Sequence, residues 1–265
     1  MKARSMFITP RISLYRTTMT PEVSEARARF PSGLLQPEAS FRFSEDALHL
    51  ANFALSSLRG DESLADLGAG CGVIGFALLL ACPALRVIGV EKEQVLVDAA
   101  RSNAERLALN SFRSLCGDVT CRETLLDARR MLADGPCPNG PPLFEAVVCN
   151  PPWRVSGTGR PSPSTLRRKA LEAEQGFLPF LSAADTLLAS QGSCFLALPA
   201  DSLAEAIRKL PERLRPVRLK FVHSCRNGKP SAAGLALLEA RKNSRSPLVV
   251  EEPLLLHARA DAPQP

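Results

Sequence analysis

Ser63-Leu64-Ala65-Asp66-Leu67-Gly68-Ala69-Gly70-Cys71-Gly72 runs directly into Val73-Ile74-Gly75-Phe76-Ala77-Leu78-Leu79-Leu80. A short apolar run is closed by three alternating glycines, and the apolar stretch behind them has helical length. The order therefore reads strand, tight turn, helix. Glycine is needed where backbone passes close to another molecule or takes positive φ, and a helix start presents free N–H groups to polar atoms. Alone, such a loop is a weak signal, because dinucleotide-binding turns look similar and many glycine-rich turns bind nothing. Spacing narrows the choice: the hydride-transfer fingerprint places a glycine three positions after its second, where this chain has Val73.

A second stretch is more specific. Phe144-Glu145-Ala146-Val147-Val148-Cys149 reads as a buried strand, and it ends in Asn150-Pro151-Pro152-Trp153. The two prolines lack N–H groups and stiffen the exit, so the loop can hold acceptors in fixed positions. An exocyclic amine on a base, or a side-chain amide nitrogen, is a poor nucleophile because its lone pair is delocalised into the π system. The Asn150 side-chain oxygen and the Pro151 carbonyl could accept its two N–H bonds, which aims the lone pair at an electrophilic methyl while Trp153 stacks on the flat group.

These residues resemble the Asn-Pro-Pro-aromatic motif of amino-methyltransferases. The pair of motifs, with Asp66 just ahead of the glycines, resembles a class I S-adenosylmethionine-dependent methyltransferase. Gln36-Pro37 followed by Phe41-Arg42-Phe43-Ser44-Glu45-Asp46-Ala47-Leu48 is similar to the lead-in segment of the bacterial tRNA adenine-N6 methyltransferases that modify the anticodon-loop adenine of a valine tRNA. The likeness runs from about Phe30 to His257 in motif order and spacing. It implies an α/β Rossmann-like fold with a seven-stranded, mostly parallel sheet in the order 3-2-1-4-5-7-6, strand 7 antiparallel, and helices on both faces. It also implies S-adenosylmethionine as cofactor, and a lead-in segment lying over it, with Arg42, Ser44 and Asp46 near cofactor or target base. A plain helix cap explains Ser44 equally well.

In that frame Asp66, Gly68, Gly70 and Gly72 line the cofactor. Leu85 to Glu91 is a second strand ending in an acid, and Glu91 takes the ribose hydroxyls, since a carboxylate accepts both protons of a diol. Cys116-Gly117-Asp118-Val119 ends a third strand; by resemblance Asp118 accepts from the adenine amino group and Val119 offers apolar contact and a backbone N–H. Catalysis falls to Asn150, Pro151, Pro152 and Trp153, with Asn150 also touching the cofactor. Arg160, Arg167, Arg168 and Lys169, in a Gly-, Ser- and Pro-rich stretch, clamp phosphates or are simply solvated surface. The relatives commonly show Arg-His-Glu in this region, which Arg168-Lys169-Ala170-Leu171-Glu172 only loosely echoes.

At 265 residues with 45% hydrophobic content, the chain accommodates one large domain, residues 41–257, plus tails. Residues 1–40 read as an irregular basic extension and 258–265 as a flexible tail. Helices are expected over 44–58, 73–80, 94–107, 123–132, 178–190 and 200–210, and the last two strands over 216–223 and 232–240. The balance of 33 basic against 27 acidic residues gives +6 and a pI near 9.0, compatible with nucleic-acid binding. Two windows hold the excess: 154–171, with five basic residues and no acid, and 204–250, with eleven against three; both are expected to flank the substrate side. Eight cysteines without a Cys-x-x-Cys pair read as reduced core thiols, with no metal site. No segment approaches the ~20 apolar residues of a membrane span and no export signal is visible, so a cytoplasmic monomer acting on RNA is expected.

The leading expectation is methyl transfer to adenine N6 in tRNA. The alternatives are guanine N2 methylation of ribosomal RNA, whose enzymes often duplicate the domain, and methylation of a protein glutamine amide, whose enzymes carry a helical domain ahead of the fold. A non-catalytic RNA-binding relative would have no use for an intact Asn150 to Trp153.

Overall fold

A computed structural model of the chain describes residues 19–38, 43–133, 137, 140–151, 154–155, 172–173, 176–226 and 229–257. The segment that decides the fold forms as its pattern dictates: β1 (Ser63–Leu67), the glycine turn, then α3 (Val73–Ala81), preceded by α1 (Pro21–Ala28) and α2 (Glu45–Leu55). Chain order continues with β2 (Arg86–Glu91), α4 (Gln94–Arg106), β3 (Phe112–Cys116), α5 (Arg122–Arg130) and β4 (Phe144–Cys149). After β5 (Arg154–Val155) and β6 (Glu172–Ala173) come α6 (Leu178–Leu187), β7 (Leu188–Pro199), α7 (Leu203–Lys209), β8 (Leu214–Arg226), β9 (Lys229–Lys242), β10 (Val249–Val250) and β11 (Leu254–His257).

The main sheet has the order β10-β8-β9-β7-β4-β1-β2-β3, with β11 also on β8. Counting only the seven long strands, this is 3-2-1-4-5-7-6. The first five are parallel, because each connection is a helical crossover, and β9 is antiparallel to both β7 and β8. Two apolar layers sandwich the sheet: Leu50, Ala54, Phe76, Leu79 and Leu107 lie on the α2–α4 side, and Leu125, Ala128, Leu181 and Leu187 on the α5–α6 side. β1 is buried on both faces, as a central parallel strand must be, so its side chains divide between the two layers.

Several elements differ from the sequence expectation. Within the stretch expected to be irregular, Pro21–Ala28 is helical: the Thr20 hydroxyl caps Val23 N at 3.5 Å and Pro21 opens the first turn. The Arg27 guanidinium docks it on the carbonyls ending α4, Leu107 O at 2.9 Å and Ala108 O at 3.2 Å. None of its residues is buried, so the helix leaves no apolar period to read. The helix expected over 178–190 stops at Leu187, and β7 starts at once. β8 and β9 extend past the expected 216–223 and 232–240 on both sides, and β10 and β11 add a short edge. Ser44 makes no capping bond; its hydroxyl donates to Asp46 Oδ2 at 2.9 Å instead. Of the cysteines, 71, 149, 194 and 225 are buried, but Cys116 and Cys121 are exposed rather than in the core.

Candidate functional site

Register brings the two motifs together. β1 lies between β2 and β4, with Leu67 opposite both Val90 and Cys149, and β2 in turn aligns Glu91 with Cys116. Glu91, Asn150, and the loops at Gly68 and Gly117-Asp118 therefore all emerge at one carboxyl edge, the ligand side of an open α/β sheet. Gly68 N and Ala69 N donate to Val90 O at 2.8 and 3.1 Å, while Gly117 N donates to Glu91 O at 2.9 Å, so the loops after β1 and β3 are both tied to the end of β2.

The glycine turn needs its glycines. Gly72, the residue before α3, sits at φ +94°, and a Cβ there would fall 2.3 Å from the Phe76 ring. Gly70, at φ +56°, has nothing within 4 Å of a would-be Cβ, so open space lies beside the backbone at that point. Glu91 braces the turn: Oε2 accepts from Gly70 N at 3.0 Å and Oε1 from Glu93 N at 3.0 Å. With about four acceptor positions on a carboxylate, each oxygen keeps one for an incoming hydroxyl.

Asp66 lies beneath the turn with no exposed surface. Its Oδ2 accepts from Gly75 N in α3 at 3.1 Å, and its Oδ1 has no partner among the described residues. Burial, eased by the Gly75 N–H and reinforced by the charge of Glu91, pushes its carboxyl up to about 7. Asp118 is the opposite case. Thr120 N and the Thr120 hydroxyl both donate to its Oδ1 at 2.8 Å, and the Thr120 N–H is the largest influence holding it below the ordinary carboxylate value, helped by Lys92. Its exposed carboxylate is thus ionised, with Oδ2 free of these bonds. Val119 beside it packs onto the α5–α6 layer.

Asn150 is half-buried and Pro151 buried directly beyond β4. The expectations placed on Pro152, Trp153, Arg160, Arg167, Arg168, Lys169 and Arg42 lie outside the described residues. The short strands β5 and β6, which pair in parallel, bracket the chain between 156 and 171.

The basic window over 204–250 flanks this edge only in part: Arg226 and Lys229, opposite each other where β8 ends and β9 begins, lie at its carboxyl end, and most of the rest do not. Arg208, Lys209, Arg213, Arg215, Lys242 and Arg245 cluster where α7 ends, β8 begins and β9 ends, which is the amino edge of the sheet. Five cations of the window are held by internal acids: Arg213 and Lys242 by Asp185, Arg218 and Arg241 by Glu239, and Lys220 by Glu251.

Two side chains at the site escaped the sequence reading. Phe180, in the first turn of α6, sits against the glycine loop, its ring 3.1 Å from where a Cβ on Gly68 would lie. The signal was topological, since a helix feeding the next parallel strand must begin at the carboxyl edge. Asn103 on α4 is fully buried and donates to Cys71 O within the turn at 3.3 Å.

The site fits S-adenosylmethionine on observations of its own: open space beside Gly70, a braced carboxylate at Glu91, an ionised one at Asp118 and an orphan buried oxygen on Asp66. Among the described residues there is no group of three metal-binding side chains and no helix long and apolar enough to cross a membrane.

Comparison with known proteins agrees with this geometry. A family model described as a precorrin methyltransferase domain matches residues 46–129. A ribosomal RNA large subunit methyltransferase G of Alteromonas mediterranea is 28% identical over 161 residues, 57% of this chain and 36% of that protein, so the chain spans about a third of that relative's length. A tRNA1(Val) (adenine(37)-N6)-methyltransferase of Porphyromonas gingivalis is 26% identical over 202 residues, 69% of this chain and 71% of that one. The crystal structure of a predicted O-methyltransferase from Agrobacterium tumefaciens superposes with a TM-score of 0.58 at 26% identity, covering 82% of this chain and 92% of the other. The chain therefore shares the fold of S-adenosylmethionine-dependent methyltransferases, and in sequence it is similar to RNA methyltransferases.

Proposed function

We propose that the chain transfers a methyl group from S-adenosylmethionine to an exocyclic amino nitrogen, with adenine N6 in tRNA as acceptor. The observation that carries this reading is the register that sets Asn150, at the end of β4, beside Gly68 and within the same edge as Glu91 and Asp118. S-adenosylmethionine supplies an electrophilic sulfonium methyl when bound. The chain's own residues hold and orient. Glu91 accepts from the ribose diol, Asp118 accepts from the adenine amino group, and Val119 lies against the ring. The Asn150 side-chain oxygen and the Pro151 carbonyl accept the two N–H bonds of the acceptor amine, so its lone pair points away from the ring plane toward the methyl. Trp153 stacks on the base, and the rigid Pro151-Pro152 exit keeps the acceptors in place. A hydroxyl acceptor would need one base rather than two acceptors, so an Asn-Pro-Pro exit favours an amine.

The curated relatives support RNA as the partner, and Arg160, Arg167, Arg168 and Lys169 are the phosphate contacts we assign to it. The protein works as a cytoplasmic monomer in this reading. Likeness to a ribosomal RNA methyltransferase keeps ribosomal RNA as a second substrate, for which guanine N2 is the acceptor in our reading.

The test is single-turnover methyl transfer from radiolabelled cofactor to bulk tRNA, ribosomal RNA and protein, followed by nucleoside or amino-acid digestion. Label on N6-methyladenosine in tRNA is expected. Label on guanine N2 or glutamine reassigns the substrate, while label on a ring nitrogen, a ribose or a carboxylate overturns the exocyclic-amine mechanism. Asn150→Ala is expected to lower turnover by about 10²–10³ with little change in cofactor affinity. Trp153→Ala loses base stacking of roughly 1–3 kcal/mol, and Trp153→Tyr or Trp153→Phe recovers much of it.

A further inference from the structure

Asn103 is a polar side chain with no exposed surface, in the last turn of α4. A buried amide is retained only where its bonds are made, and all of the bonds here run to backbone of other segments. Its Oδ1 accepts from Leu35 N at 2.7 Å, its Nδ2 donates to Leu35 O at 3.0 Å, and the same Nδ2 donates to Cys71 O at 3.3 Å. Leu35 belongs to the strap of residues 30–38 that follows α1; Cys71 stands between Gly70 and Gly72 in the turn. One side chain thus holds the strap by both its backbone groups and spends its second N–H on the turn. The rest of the attachment is lighter: Arg106 Nη1 donates to Gly33 O at 3.1 Å, Leu34 enters the α2–α4 layer, and Arg27 fixes α1 to the end of α4. At its far end the strap reaches the residues just ahead of α2 through the Gln36 side chain, whose Oε1 accepts from Phe43 N at 3.2 Å.

We infer that Asn103 is a positioning residue that couples docking of the strap to the shape of the glycine turn, so that strap and bound cofactor stabilise each other. The inference rests on the reading of the turn as a cofactor site. The bond on Cys71 O orients the peptide between Cys71 and Gly72, which sets the left-handed turn that opens α3. When the strap leaves, two of the three bonds on the amide are lost and the side chain is free to turn away from Cys71. When a ligand fixes the turn, Cys71 O is fixed and the amide is held in the orientation that Leu35 requires. Linkage makes the effect reciprocal: whatever factor the docked strap adds to ligand affinity, the ligand adds to strap docking.

The full-length protein permits a direct test with S-adenosylhomocysteine as probe. Tryptic cleavage after Arg27 reports release of the α1 arm, because that guanidinium must first leave the Leu107 and Ala108 carbonyls. In the parent, saturating ligand is expected to slow this cleavage by about fivefold or more. N103D keeps an acceptor for Leu35 N but turns both donated bonds into contacts between a carboxylate and carbonyl oxygens. It is expected to raise the calorimetric Kd by about tenfold and to abolish the protection by ligand at ligand concentrations that saturate it. Merely structural packing would change neither the ligand dependence of cleavage nor its loss. If the parent binds the ligand and cleavage after Arg27 is unaffected, coupling is refuted while the cofactor site stands. Parent affinity in N103D refutes Asn103 as the coupling residue. No binding by the parent overturns the cofactor reading and the inference with it. Should N103D fail to fold, the parent comparison still decides.

Discussion

Asp66 and Glu91 are both acids of the cofactor edge, yet their surroundings assign them different work. Asp66 is sealed under the turn with one oxygen on Gly75 N and one without a partner, and burial lifts its carboxyl to about 7. Its folded value lies above its unfolded one, near 3.9, so the stabilisation this group contributes is complete below about pH 4, fades as pH rises toward 7 and is gone above it. Each unit of that displacement corresponds to about 1.4 kcal/mol. Asp66→Asn keeps an acceptor for Gly75 N and has no proton to lose. Thermal unfolding of the ligand-free protein between pH 4.5 and 7.5 is therefore expected to show a fall in parent Tm that the variant flattens; identical pH slopes would place the dependence on another group. Glu91 sits partly open at the strand end and uses its charge to brace Gly70 N and Glu93 N. In Glu91→Gln one acceptor oxygen becomes a donor, the turn loses a brace and the diol loses a charged partner. Calorimetry should report S-adenosylhomocysteine binding weaker by about 1.5–3 kcal/mol with circular dichroism unchanged; parental affinity would remove Glu91 from the site.

At the scale of elements, the antiparallel end of the sheet is organised by one acid on β9. Glu239 is buried, and it accepts from Ser57 at 2.7 Å, Ser193 at 2.8 Å, Arg241 at 2.8 Å and Arg218 at 2.9 Å, so it ties β9 to β7, β8 and the turn after α2. Burial alone would raise its carboxyl, but the bonds from Ser57, Arg241, Ser193 and Arg218 outweigh it and hold the group below its usual value. Arg218 also lies 3.9 Å over the Phe53 ring. Glu239→Ala leaves Arg218, itself 14% exposed, without its main counter-charge, and breaking such a buried pair costs about 3–5 kcal/mol. Urea unfolding should show a loss of that order, and a loss near zero would mean that Glu251 alone suffices to hold Arg218. None of this network is visible in the sequence, where Glu239 is one acid in an apolar strand. What was legible is local: the Ser63–Leu67 strand, the turn and the helix from Val73 each follow from neighbours along the chain. What was not legible depends on distant partners. α1 is fixed by carbonyls 80 residues away, and Asn103 meets Leu35 and Cys71 across 68 and 32 residues. The window over 204–250 read as a substrate surface because Asp185 and Glu251, which neutralise several of its cations, lie outside it.

Across the whole molecule, this redistribution of charge separates two sets of cations that composition had pooled. The cations at the amino edge, Arg208, Lys209 and Arg215 among them, stand at the opposite end of the strands from Gly68, Glu91 and Asn150. The chain leaves β4 and returns to α6 at the carboxyl edge, and between these points the sequence holds Arg160, Arg167, Arg168 and Lys169. In the proposed reaction a base delivered to Asn150 would bring its own phosphates to the carboxyl edge, so only cations there should neutralise phosphate in the productive complex. Each neutralised phosphate releases condensed counterions, and log K against log salt falls by about 0.7–0.9 per contact. Replacing Arg167, Arg168 and Lys169 together by glutamine is accordingly expected to flatten the tRNA binding slope by about 2–3. The matching triple replacement of Arg208, Lys209 and Arg215 should leave the slope at the parent value, with both variants compared by filter binding between 50 and 300 mM salt. An unchanged slope in the first variant would reduce that stretch to solvated surface. An equal flattening in both would mean that RNA extends along the strands to the far edge of the sheet, and the substrate surface would then have to be redrawn around the whole β7–β9–β8 end of the molecule.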